Sequence, residues 1–301
     1  MDRLDAMEMF VRIVETGSFS AVAREMGTTQ PTVSKQLTAL EKRLGARLLQ
    51  RSTRKLSLTE SGQTYYERCK RIVDEVREAE GTLGKLQTSL SGSLHISASI
   101  AFGEIFLTPL VLQFQQRYPE LSVELSTNDR FIDLVEEGVD VAVRIGRLSD
   151  SSLVARRIGS TRRIAVATPG YLLEHGTPRH PLDLTNHNCL LYSYLSTGNE
   201  WQFHGSEGEI RVRVSGSFKS NNGHALAEAV RAGVGIAMGP DWLMHARLAT
   251  GEIQEILADY AAKALDINAV YPSNRLLSAK VRAFIDFLQE EFRKIPVLNA
   301  A

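Results

Sequence analysis

The side chains with the most recognisable chemistry crowd into one short stretch. Between Thr28 and Lys55 stand Lys35, Lys42, Arg43, Arg47, Arg51, Arg54 and Lys55 against the single acid Glu41, a local net charge of +6. The chain as a whole, 301 residues, balances 35 Lys and Arg against 35 Asp and Glu. A neutral chain with one basic segment has an electrostatic footprint for phosphates there and little attraction for polyanions elsewhere. Around the bases lie Ser18, Thr28, Thr29, Gln30, Pro31, Thr32, Ser34 and Thr38. Short polar groups at the start of a helix are what readout of base edges in a major groove requires. The bland alternative for any charge run is a solvated helix face, and Ser34 or Thr38 taken singly could be inert surface.

The elements that must position these groups are two short helices and a hairpin. Phe19, Val22, Ala23 and Met26 fall at i, i+3, i+4, i+7, Gly27 breaks the run, and Val33, Leu37, Leu40 and Leu44 resume it. Two amphipathic helices joined by a tight turn make a helix-turn-helix. Thr28 or Thr29 can cap the second helix, and Pro31 suits its first turn, where a missing N–H costs nothing. After Gly45, the run LLQRSTRKLSLT reads as two strands around Ser52-Thr53. Such a wing would carry Arg51, Arg54 and Lys55 to a phosphate backbone or a minor groove.

The next segment spaces Tyr65, Cys69, Ile72, Val76, Ala79, Leu83, Leu86 and Leu90 as a heptad seam in a stretch rich in Glu, Lys and Arg. A helix beginning at Thr59 or Ser61 and running about thirty residues makes a rod of roughly 45 Å. A second copy packed on the seam would hold two reading heads about one helical turn of DNA apart, matching an interrupted palindrome. The alternative is a helix packed on its own chain's core. Gly81 and Gly84 are expected to fray or bend the rod before Ser91-Gly92-Ser93.

Beyond Gly92 strand and helix signals alternate, as in an open α/β domain. Strands are expected at 94–98, 121–126, 139–145, 163–167, 210–214, 235–238 and 264–271, with helices at 103–118, 131–137, 224–232 and 274–292. About 210 residues suit two lobes of ~100 each. A ligand in such an architecture sits at strand carboxyl ends and helix N-termini. The candidates are Ser99 and Ile100 after the first strand, Asn128 after the second and Arg144 near the end of the third. From the second lobe come Asn221, Pro240 and the aromatics Tyr192, Tyr194 and Trp201. Ser99 could equally be a plain N-cap. Arg144 could answer a carboxylate or form a surface ion pair with Asp140 or Glu137, and the tyrosines could be core.

Other chemistries lack their residues. Gly233 to Gly239 has the wrong spacing for a dinucleotide fingerprint and follows a helix. His175, His180 and His187 lack metal-ligand spacing, Cys-x-x-Cys is absent, and nothing resembles a catalytic triad. No cofactor is expected, and no metal. Two distant thiols, Cys69 and Cys189, suggest a reducing cytosol and inert burial. No apolar run reaches the ~18 residues of a membrane span, and the N-terminus does not read as a signal peptide.

The ordered pattern LDAMEMFVRIVETGSFSAVARE, QPTVSKQLTALEKRLGARLLQR and LSLTESG resembles the LysR-type transcriptional regulators over essentially the whole chain. DRFIDLVEEGVDVAVRIGRLSDSSLVARRIG is similar to the CrgA-like branch. The resemblance implies a multidomain α+β chain. A winged helix-turn-helix would occupy 1–58 and a linker or coiled-coil helix 59–90. An effector domain at 91–301 would resemble type 2 periplasmic binding proteins, with lobe I at about 91–160 plus 265–301 and lobe II at about 161–264. Hinge crossings would fall near Gly159 to Arg163 and Asp259 to Leu265. The implied partners are double-stranded DNA, a small-molecule effector such as a carboxylate or aromatic acid, further copies of the chain in a homotetramer, and RNA polymerase. The competing reading is a two-lobe solute-binding or enzymatic protein whose N-terminal region only dimerises.

Overall fold

A computed structural model describes residues 2–51, 56–81, 90–130, 133–146, 153–195, 197–206, 208–262, 264–272 and 277–299. The chain divides into two compact units, residues 1–93 and 94–301.

The first unit holds α1 (Arg3–Thr16), α2 (Phe19–Glu25), α3 (Gln30–Leu44), β1 (Leu49–Arg51), β2 (Leu56–Leu58) and α4 (Glu60–Gly81). Each helix stops or starts where the sequence supplies a capping group. Asp2 and Asp5 make a capping box on α1, Ser18 caps α2 through Ala21 N–H, and Gly17 and Gly45 close α1 and α3 in the left-handed conformation. Met9, Phe10, Ile13, Val22, Val33, Leu37, Leu40, Leu48 and Leu49 form one core. Met26 and Leu44 do not join it, although helical spacing pointed them inward; both are about 40 % exposed. Met26 is the C-cap residue just past α2, and Leu44 is the last residue of α3. The wing strands pair antiparallel, Leu49 with Leu58 and Arg51 with Leu56. Gly62 is forced by packing, because a Cβ there would stand 1.9 Å from the Leu48 carbonyl oxygen.

The second unit has two lobes. Lobe I is a five-stranded sheet in the order β4-β3-β5-β15-β6. Its strands are β3 (Gly92–Ala98), β4 (Leu121–Thr127), β5 (Val141–Ile145), β6 (Leu153–Thr161) and β15 (Leu265–Pro272). Its helices are α5 (Ile100–Phe102), which continues through a π-helical turn, Gly103–Leu107, into α6 (Thr108–Arg117), and the returning α10 (Ala279–Phe292). A 3-10 turn, Pro296–Leu298, follows α10. The helix expected at 131–137 is absent from its described part. Residues 134–138 are turns, with Asp133 Oδ1 accepting from Val135 and Glu136 N–H and Gly138 at φ 65°. The short polar side chain competes for the N–H groups that a helix needs.

Lobe II contains β7 (Arg163–Ala167), α7 (Pro169–His175), a 3-10 helix (Pro181–Asn186), β8 (Cys189–Tyr192), β9 (Glu200–Gly205), β10 (Gly208–Arg213) and β11 (Lys219–Ser220). It continues with α8 (Gly223–Arg231), β12 (Ile236–Pro240), α9 (Asp241–Ala249), β13 (Gln254–Ile256) and β14 (Ala261–Ala262). Its main sheet runs β11-β8-β12-β7-β13, and β10-β9-β14 form a second sheet. Between them Ala165, Leu184, Cys189, Trp201, Phe203, Val212, Ile236 and Met238 form the lobe's core. The outgoing strand β6 and the returning β15 are antiparallel neighbours, with Thr161 opposite Leu265. Gly159 lies inside β6, so the first crossing is at Arg162.

Candidate nucleic-acid interface and regulatory cleft

On α3 the buried stripe Val33, Leu37, Leu40 turns the other face outward. Gln30, Pro31, Lys35 and Thr38 are exposed, as is the cap residue Thr29, and Ser34 is half-buried. Pro31, Ser34, Lys35, Thr38, Ala39 and Lys42 line one open, shallow groove along the helix. Small contacts hold these groups. Thr29 and Thr32 hydroxyls are 2.8 Å apart, Ser20 Oγ donates to Gln30 Oε1 at 3.0 Å, and Thr38 Oγ1 donates to the Ser34 carbonyl. Thr28 is half-buried and its N–H goes to the Ala23 carbonyl, making it the turn rather than the cap. Ser18 is spent on its cap, so its side chain is a scaffold for α2.

The lone acid of the basic segment has a structural post. Glu41 Oε1 accepts from the Leu48 and Leu49 N–H groups at 2.8 and 3.2 Å, fixing the start of the wing to the recognition helix. Arg12 ties α1 to α2 by two 2.9 Å bonds to Glu25 and a third bond to Glu15. Those bonds hold the Glu25 carboxyl below its ordinary pKa. Arg51 ends β1; Arg54 and Lys55 lie outside the described residues.

The seam residues divide. Thr59 caps α4 through Gly62 N–H at 2.9 Å. Cys69 and Val73 are fully covered within this unit, and the Tyr65 ring packs 5.6 Å from Phe10. Tyr65 and Cys69 are therefore committed to their own chain, a correction to the seam reading: a helix laid on α1 spends its first turns on that neighbour. Ile72 is 40 % exposed and Val76 half-buried. Ala79 falls within α4, while Leu83 and Leu86 lie outside the described residues.

In the second unit, Arg144 near the end of β5 donates to Ser97 Oγ at 3.0 Å. Burial pulls its guanidinium below the usual range, and Asp129 and Tyr192 push back. Its charge neighbour is thus Asp129; Asp140 instead accepts from His95 N–H at 2.9 Å. Tyr192 ends β8 on lobe II and is pushed up to about 12, first by burial and then by Asp129. Asp129 acts on both Arg144 of lobe I and Tyr192 of lobe II, so the three lie near one another where the lobes meet. Tyr194 lies alongside, its ring 6.1 Å from Tyr192 and its hydroxyl 3.4 Å from Asn221 Nδ2. Ser99 caps α5 without a side-chain bond. Its neighbour Ile100 is not an open anion donor, because its N–H already bonds Asp129 Oδ1 at 3.0 Å.

Three further candidates are placed differently. Trp201 is 2 % exposed inside the lobe II core and cannot contact a cleft ligand. Asn128 is exposed and its Oδ1 accepts from Arg130 N–H. Pro240 ends β12 opposite Arg163. Residues that spacing did not single out bind the lobes together. Phe102 and Phe106 pack edge-on against Trp242 at 5.5 and 5.6 Å. His224 Nε2 stands 3.3 Å from Glu104 Oε2, an ion-pair approach off the hydrogen-bond line. The only trace of these in sequence is an aromatic pair four apart, which reads as ordinary core.

A winged helix-turn-helix unit followed by a two-lobed α/β unit is the architecture of a ligand-responsive DNA-binding regulator. Residues 4–63 match the bacterial regulatory helix-turn-helix protein, lysR family, and residues 87–293 match the LysR substrate binding domain. The chain belongs to the LysR family of transcriptional regulators. It is 40 % identical to an uncharacterized HTH-type transcriptional regulator of Haemophilus influenzae, over 93 % of this chain and 98 % of that one. The solved structure of CrgA, a LysR-type regulator from Neisseria meningitidis, is 34 % identical with a TM-score of 0.60, covering 95 % and 98 % of the two chains. The full-length Vibrio cholerae virulence activator AphB is 31 % identical with a TM-score of 0.57, covering 95 % and 98 %. These relatives are transcriptional regulators rather than enzymes, so the solute-binding or enzymatic alternative is set aside. Both thiols are buried and unbridged. Burial pushes the Cys189 thiol up to about 12 and raises Cys69 as well. No described helix is long and apolar enough to cross a membrane.

Proposed function

We propose that the protein reads an interrupted palindrome in double-stranded DNA through Thr29, Gln30, Pro31, Thr32, Ser34, Lys35 and Thr38 of α3. Arg51, Arg54 and Lys55 of the wing contact the flanking backbone or minor groove. The observation that carries this reading is the outward face of α3, where exposed hydroxyl, amide and ammonium groups sit opposite a fully buried stripe. Copies of the chain associate along α4 beyond Cys69, through Ile72, Val76, Ala79, Leu83 and Leu86, first as dimers and then as a homotetramer. A small organic effector, a carboxylate or aromatic acid, enters the cleft between Arg144, Ser99, Tyr192 and Tyr194. It biases the lobe angle, and with it the grip of the paired heads and contact with RNA polymerase, by binding one state better. The protein works in the cytoplasm.

A gel-shift with DNA upstream of the protein's own gene tests the reading. A specific complex that weakens with salt is expected. Arg54→Ala should reduce affinity for all sequences and flatten the salt dependence by about one charge, whereas Gln30→Ala should alter preference among sequences. An unchanged affinity and salt slope for Arg54→Ala would remove the wing from the interface.

A further inference from the structure

The reading head carries one hydroxyl that is used against the habit of its helix. Serine and threonine inside a helix commonly donate back to a carbonyl one turn earlier. In the first unit Thr16, Thr38 and Thr64 do so, to the carbonyls of Arg12, Ser34 and Glu60. Ser20 instead donates across the turn, from α2 to Oε1 of Gln30 at 3.0 Å. Both residues are exposed, and α2 and α3 are already joined without them. Val22, Ala23, Val33 and Leu37 share one core, and the Thr28 N–H bonds the Ala23 carbonyl at 2.8 Å. An exposed hydrogen bond between neutral groups adds little to such a junction. What the contact does change is what Gln30, the first residue of α3, offers to a major groove.

A free glutamine amide is ambidextrous. Its oxygen accepts and its nitrogen donates, so it grips adenine through N6 and N7 or turns to answer the N4 donor of cytosine. With Oε1 held by Ser20, the end left for DNA is Nε2, and that end only donates. A guanine pair sets its two acceptors, N7 and O6, side by side, whereas an adenine pair puts the N6 donor between N7 and the thymine O4. Holding the amide in one orientation before DNA arrives also removes part of the cost of ordering a long side chain.

We infer that Ser20 is a positioning residue for sequence readout: it ties back the oxygen of Gln30 and so commits Gln30 to a guanine pair. This rests on the reading of α3 as the base-contacting helix and sharpens it to one pair of residues and one base.

Gel shifts with the full-length protein and the DNA upstream of its own gene test it. Each base pair of the protected half-site is changed to the other three, and affinities are compared for the wild type, Ser20→Ala, Ser20→Thr and Gln30→Ala. The position read by Gln30 is the one whose preference Gln30→Ala flattens. There the wild type should favour a guanine pair over an adenine pair by about 10-fold, and 7-deazaguanine, which lacks the N7 acceptor, should lose much of that margin. Ser20→Ala should cut the margin to about 2-fold or less, because the freed amide can turn to suit adenine. Ser20→Thr, which keeps the hydroxyl, should retain it. A merely structural loss would weaken binding to every sequence alike and leave the margin intact.

Four results overturn the inference and leave α3 as the reading helix. These are an adenine pair ranked first by the wild type, 7-deazaguanine bound as well as guanine, a margin unchanged in Ser20→Ala, and Ser20→Thr behaving as Ser20→Ala does. If Gln30→Ala flattens no position, the base-reading role of Gln30 falls and the inference with it. No specific complex at all overturns both the inference and the reading of α3.

Discussion

The recognition face of α3 and the cleft of the second unit both use polar side chains, but on opposite physical terms. On α3, Lys35, Thr38 and Gln30 stand in water with their polar groups solvated, so displaying them costs little and binding a nucleic acid gains by releasing its counterions. In the second unit, burial pulls Arg144 down and pushes Tyr192 up, and the charge of Asp129 acts on both. The first arrangement is built from residue type and helical phase alone. The second exists only after distant strands have been brought together, and it uses the low dielectric to make a few charges selective.

That contrast can be attacked first in its supports. Phe102→Ala, at a residue with no exposure that touches Phe106, Trp242 and Phe292, should destabilise the second unit by about 3–5 kcal/mol. Denaturant unfolding followed by tryptophan emission reads this, and DNA-cellulose retention of the folded protein should be unaffected. Gly62→Ala acts on the other side. With its Cβ driven at the Leu48 carbonyl, the first unit should lose about 2–3 kcal/mol and specific DNA binding, while the emission transition stays in place. If either substitution moved both readouts equally, the two sites would not be separable.

Finer changes sharpen the comparison. Glu41→Ala strands the Leu48 and Leu49 N–H groups and should cost about 1–2 kcal/mol, yet it also removes the only acid of the basic segment. Non-specific DNA affinity at low salt, measured by anisotropy, should therefore rise in a protein that unfolds more easily. Lys35→Ala should lower affinity for every sequence about 3- to 10-fold and reduce the salt slope by about one unit. In the second unit, native Cys189 should resist maleimide at pH 8. A thiol pushed up to about 12 holds almost no thiolate there, and labelling should follow unfolding.

How much of this was legible in the sequence follows from range. Val33, Leu37 and Leu40 on one side of α3, the wing pairing and the start of α4 at Thr59 are decided within a few residues, and patterning exposes them; Ser18, read as a DNA contact, instead caps α2. Tyr65 and Cys69 obey a heptad as faithfully as Ile72 does, because periodicity states which face is apolar but not which neighbour covers it. The same silence hid Trp201 in a core and let Asp129 take the Ile100 N–H that looked free for a ligand. Arg144 was visible as a charge at a strand end.

The seam of Phe102, Phe106 and Trp242 gives the protein its own optical gauge. The chain has two tryptophans, Trp201 and Trp242, and both belong to lobe II. Intrinsic indole fluorescence therefore reports from the regulatory unit, where both indoles lie. Trp201 is sealed in its core, whereas Trp242 packs against Phe102 and Phe106 of the opposite lobe, so its emission should change if that packing changes. Adding operator DNA to unlabelled protein thus becomes a listening experiment: any change in colour is news that has travelled from the head to the hinge.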